Sequence, residues 1–117
     1  MTSTGYVVVA TVAAAINGWA AATDFARTTT AVRNAEMVEV PVSWLFPLGA
    51  LKAAGALGLL VGIAVPVIGT AAAIGLILFF VCAVFAHLRV GWYATIAFPA
   101  TFLLLAVGAL MLRLFSR

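Results

Sequence analysis

At 117 residues, with 67% hydrophobic and only 8% charged side chains and a mean hydropathy of +1.29, the chain lacks the polar residues to clothe a water-soluble globule. Its net charge of +3 comes from six Lys and Arg scattered along the chain rather than gathered in a stripe, which excludes a surface that tracks nucleic-acid phosphates. The single cysteine, Cys82, excludes a disulfide framework; it falls mid-span, without metal-ligand spacing, as a small apolar filler.

Four apolar segments, residues 6–22, 44–65, 67–86 and 92–112, carry one charge among them, Lys52. Each is about 17–22 residues long, and a helix rising about 1.5 Å per residue needs roughly 20 to cross a bilayer. The fold class expected is all-α: an integral membrane four-helix up-down-up-down bundle in the lipid bilayer, forming one domain over residues 1–117. The longest connection, residues 23–43, is too short for a core of its own.

The first segment, 6–22, has the look of a signal-peptide core, but the residues before it lack the Lys or Arg of an n-region, so it is expected to remain as the first span. Asn17 and Asp24, seven residues apart, share one helix face, and Asn17 is expected to bond across to another helix. Residues 24–43 hold all three acids, Asp24, Glu36 and Glu39, together with Arg27 and Arg33, and belong in water or at the interface. Within them Ala31, Val32, Ala35 and Val38 suit a short amphipathic helix on the membrane, ended by Pro41; an ordinary solvated loop fits the same window.

Pro66, flanked by Gly62 and Gly69, divides the second span from the third as a tight hairpin. Gly55, Gly58 and Gly62, then Ala72 and Gly75, are candidate helix-packing residues, with Gly58 and Gly62 forming a GxxxG pair that serves either the contact between these two spans or one with a partner. Gly91 reads as a helix stop and Trp92-Tyr93 as an interfacial anchor, while Pro99 is placed to kink the last span.

Alternating spans gather Asn17, Asp24, Lys52, His87 and Arg89 into one half of the molecule. Lys52 is the strongest candidate there, since a mid-membrane charge costs about 2.5–3.5 kcal/mol and marks function or a structural pair; Asp24 and Glu39 are the carboxylates within reach. His87 is a candidate by residue type, yet one histidine at a helix end near an arginine is more often an interfacial residue than a ligand or base. Arg89, like Arg113 and Arg117, is expected at the lipid headgroups. No catalytic set and no metal-ligand set is legible.

The run Pro47-Leu48-Gly49-Ala50-Leu51-Lys52-Ala53-Ala54-Gly55, then Pro66, then Ala86-His87-Leu88-Arg89, resembles the DoxX-like family of four-helix bacterial membrane proteins. Members often carry a Gly and a basic residue in the first helix; here Asn17-Gly18 and Ala20, Ala21 and Ala22 stand in that region without the lysine. The family takes its name from a small subunit of a thiosulfate:quinone oxidoreductase, so the resemblance implies fold more strongly than activity.

Two functions follow as expectations. One is a non-enzymatic accessory subunit, without cofactor, of a larger membrane complex or of a homo-oligomer. The Ala/Val/Gly-rich, Lys-poor composition suits an envelope lipid-transport machine of an actinobacterium. The alternative is a small subunit of a quinone-linked oxidoreductase, with Lys52 and His87 at the quinone headgroup; one cysteine and one histidine supply neither a dithiol nor paired haem ligands. A proton-coupled exporter is disfavoured because no acid lies within a span. The bacterial cell membrane is the expected location, with cytoplasmic termini, given the compact basic tail after the last span.

Overall fold

The computed structural model describes residues 4–93 and 95–115, and all its regular structure is helical. The helices are α1 (Thr4–Phe25), α2 (Thr29–Met37), α3 (Leu45–Val61), α4 (Pro66–Val90) and α5 (Ala97–Phe115), with a single 3₁₀ turn at Val42–Trp44 before α3. All but α2 are long and apolar enough to cross a bilayer, α3 together with its 3₁₀ turn.

The ends of the helices explain where the observed bounds depart from the apolar segments. α1 runs on to Phe25 and closes with Arg27 in the left-handed region (φ 51): the Arg27 and Thr28 amides return to the Asp24 and Thr23 carbonyls. Thr28 then caps α2, its hydroxyl accepting from the Ala31 amide at 3.2 Å. The short helix expected in the first connection is therefore present, but Pro41 does not end it. It stops at Met37, where Glu39 (φ 59) turns left-handed and the Glu39 and Val40 amides bond back to the Glu36 and Ala35 carbonyls. Pro41 instead precedes the 3₁₀ turn.

Pro66 is the first residue of α4, where a missing amide hydrogen costs nothing. Gly91 (φ 69) ends that helix. Pro99 does not kink the last span. α5 begins only at Ala97, so Pro99 lies in its first turn, among amides that have no intrahelical acceptor.

The spanning helices form a ring in which α1 packs on α3 and α5, α3 on α4, and α4 on α5. α1 and α3 run antiparallel: the Tyr6 hydroxyl donates to the Leu59 carbonyl at 3.0 Å, while Asp24, at the other end of α1, meets Lys52. The core is built from Tyr6, Ala10 and Ala13 of α1, Leu59 of α3, Leu76 and Phe80 of α4, and Ala106 and Ala109 of α5. Alanines on α1 let the other helices close on it.

Where α3 meets α4, a Cβ on Gly58 would stand 2.6 Å from the Ala72 Cβ, one on Gly62 would run into the backbone of Gly69, and one on Gly55 into the Leu76 side chain. The GxxxG pair is thus used inside the chain, between α3 and α4. Gly75 does not share this contact: it is exposed, and a Cβ there meets nothing within 4 Å.

Candidate functional site

The close approach of α3 and α4 at Gly62 and Gly69 does not extend along their length. Beyond Gly55 a groove of about 1080 Å³ opens between the two helices, lined by Leu51 and Lys52 of α3, Gly75, Phe79 and Ala83 of α4, and Phe102 of α5. α2 roofs its mouth with Ala31, Asn34, Ala35 and Val38. Asp24, Lys52, His87 and Arg89 all line this groove, so four of the five residues gathered by sequence reasoning border one space.

Of the two carboxylates within reach of Lys52, Asp24 takes it. Lys52 Nζ donates to Asp24 Oδ2 at 2.9 Å and lies 5.6 Å from the centre of the Phe79 ring. The side chains of this pair are 17% and 8% exposed, respectively. Gly49 makes the pair reachable: a Cβ there would stand 3.1 Å from Asp24 Cβ and 3.3 Å from the Ala21 carbonyl, so α3 can press against α1 one turn before Lys52. Glu39 is exposed and contributes its backbone carbonyl instead.

His87 is held on both sides of its ring. Nδ1 lies 2.9 Å from the Ala83 carbonyl, Nε2 lies 3.3 Å from the Thr95 hydroxyl, and Trp92 stacks on the ring at 5.5 Å. A carbonyl only accepts, so Nδ1 carries the proton, and in the neutral ring Nε2 receives the Thr95 hydrogen. Arg89 is not simply directed to lipid. Its Nη2 donates to the Val38 carbonyl at 2.6 Å and to the Glu39 carbonyl at 3.5 Å, tying the end of α2 to the end of α4.

Asn17 stands apart from this group. Its Nδ2 donates to the Ala13 carbonyl at 2.8 Å within α1, not to another helix, and its buried Oδ1 has no hydrogen-bond partner. Among the described residues no group of three or more His, Cys, Asp and Glu is placed to hold a metal ion. A lone ion pair beside an apolar groove can hold a polar headgroup while the groove takes its apolar part.

A family model for the DoxX-like family matches residues 8–109, nearly the whole helical part. The chain belongs to the DoxX-like family. It is a multi-pass membrane protein. No curated protein and no solved structure matches it.

The DoxX-like chain also has a polar contact at the other end of its bundle that sequence reasoning missed. Arg113 is buried instead of reaching the headgroups: its guanidinium covers the Tyr6 ring at 4.1 Å, and Nη2 donates to the Gly62 carbonyl at 2.6 Å. α1, α3 and α5 are thereby joined where the α3–α4 turn leaves carbonyls without helical donors. The available signal was positional, since Tyr6 begins the first span and Arg113 ends the last, and the ends meet in an even-numbered bundle.

Proposed function

We propose that this DoxX-like protein is a non-enzymatic accessory subunit of a larger membrane complex in the bacterial envelope, with lipid transport as that complex's candidate task. The observation that carries this reading is an outward stripe of small residues on α1: Thr11, Ala15, Gly18 and Ala22 are all exposed and lie on one side of the helix, and a Cβ on Gly18 meets nothing within 4 Å. Lipid provides no hydrophobic drive for helix association, so close backbone approach through such residues is the means by which membrane helices pair. The Gly55, Gly58 and Gly62 face, by contrast, is already taken by α4.

The polar cluster supports the non-enzymatic half of the reading. Lys52 is spent on Asp24, both ring nitrogens of His87 have partners, and Arg89 is bonded to the backbone after α2. Lys52 and His87, the two groups that a quinone subunit would place at the headgroup, are both engaged within the chain.

Affinity purification from native membrane tests the proposal. A partner chain in fixed ratio is expected with the wild type and is lost from Gly18→Leu, while the variant itself stays folded because the added side chain points away from its own bundle. Recovery of a stoichiometric quinone without a partner chain would replace this reading with the redox one.

A further inference from the structure

The geometry points to a specific site for an anionic phospholipid: one acyl chain lies in the α3–α4 groove, and its phosphate is held by Arg89 where α4 ends. The walls are apolar over the length of α4 from Gly75 to Arg89, about 21 Å at 1.5 Å per residue, which suits an acyl chain running from the interface into the hydrocarbon. Gly75 gives the groove its depth and has no role in packing the bundle, since a Cβ there meets nothing within 4 Å.

Lys52 and Asp24 offset one another in their ion pair, which leaves Arg89 as the excess positive charge along the groove. The backbone bonds of Arg89 use Nη2 alone, leaving the rest of an exposed guanidinium fork. Neither Glu36 nor Glu39 lines the groove, and Glu39 meets Arg89 through its backbone carbonyl. A phosphate there meets charge-assisted donors beside an apolar slot, whereas a neutral headgroup would leave the excess charge unanswered. The site stands whether or not α1 docks on a larger assembly, because Gly18 lines no part of the groove.

Native mass spectrometry of the full chain, released from nonionic detergent after mixing with phosphatidylglycerol or with phosphatidylcholine of identical acyl chains, tests the site. The wild type is expected to retain phosphatidylglycerol about tenfold more than phosphatidylcholine, the size of one charge-assisted hydrogen bond. Arg89→Gln should erase that preference. Gly75→Phe should fill the slot and lower retention of both lipids about tenfold, while Thr101→Phe, an enlargement at an exposed position of α5 outside the groove, leaves it unchanged. Ala71→Phe, one turn away and also exposed in the groove, is the second blocking variant should Gly75→Phe fail to fold. Equal retention of the two lipids by the wild type overturns the site, as does undiminished binding in a folded blocking variant. Full displacement of phosphatidylglycerol by equimolar oleate overturns the phospholipid as occupant, and so does a second copy or a partner helix that excludes lipid from the groove.

Discussion

Arg113 and Tyr6 close the bundle at the end away from the groove: the guanidinium lies 4.1 Å over the phenol ring while donating to the Gly62 carbonyl at 2.6 Å. Arg113→Met removes a charged donor from a buried carbonyl and is expected to destabilise the protein in detergent by about 2–3 kcal/mol. Arg113→Lys recovers only part of this, because an ammonium lacks the planar surface that covers Tyr6. Thermal unfolding followed by circular dichroism measures the order; equal stability of all three proteins would remove the contact from the account of the fold.

At the groove end, the Lys52–Asp24 pair predicts a strong coupling. Lys52→Met alone leaves a carboxylate only 8% exposed without its counter-ion and should cost about 2–3 kcal/mol, somewhat less than a fully buried pair. Lys52→Met combined with Asp24→Asn should recover much of that loss. Additive losses in the double-mutant cycle would show that the two side chains do not depend on one another.

The glycines between α3 and α4 should rank by what a methyl group meets. Gly62→Ala strikes the Gly69 backbone and is expected to be the most damaging, Gly58→Ala meets the Ala72 methyl, and Gly55→Ala meets a Leu76 side chain able to move. Gly75→Ala should be neutral or slightly stabilising, since the site is open and alanine favours helix by about 1 kcal/mol. A chemical-unfolding series that ranked Gly75→Ala beside Gly62→Ala would contradict the packing described.

Glu39 occupies a left-handed position that glycine usually fills (φ 59). Glu39→Gly should therefore stabilise the end of α2 by up to about 1 kcal/mol, detected as slower hydrogen exchange of the Glu39 and Val40 amides bonded into that turn. Faster exchange would show that the glutamate side chain contributes more than the backbone strain costs.

The four spans and the Pro66 hairpin were legible because apolar length and a missing amide act locally. The helix ends were less so. Gly91 announces its left-handed turn, but Arg27 and Glu39 perform the same turn without glycine, and no local pattern marks them. Pro99 was misread for a related reason: residues 92–96 are apolar enough to count as span, yet the chain after Gly91 turns back to place Thr95 against His87 before α5 begins. That Lys52 needs a carboxylate was recognisable from cost alone, but the choice of Asp24 over Glu39 was not, because only the packing of α3 on α1 at Gly49 makes it. The buried Arg113 was not, because an arginine four residues from a chain end is ordinarily solvated; only the meeting of α1 with α5 gives it Tyr6 to cover. The groove, a space left between two helices, has no sequence signature at all.

The ion pair also has a direction in time. Ribosomal synthesis makes Asp24 first, at the end of α1, and Lys52 follows 28 residues later on the helix that must enter the bilayer beside it. The carboxylate is thus already waiting when the ammonium arrives, and a lysine that would resist entry alone finds its counter-ion in place. Reversing the two charges would present the nascent chain with a different problem from the one that the finished fold records.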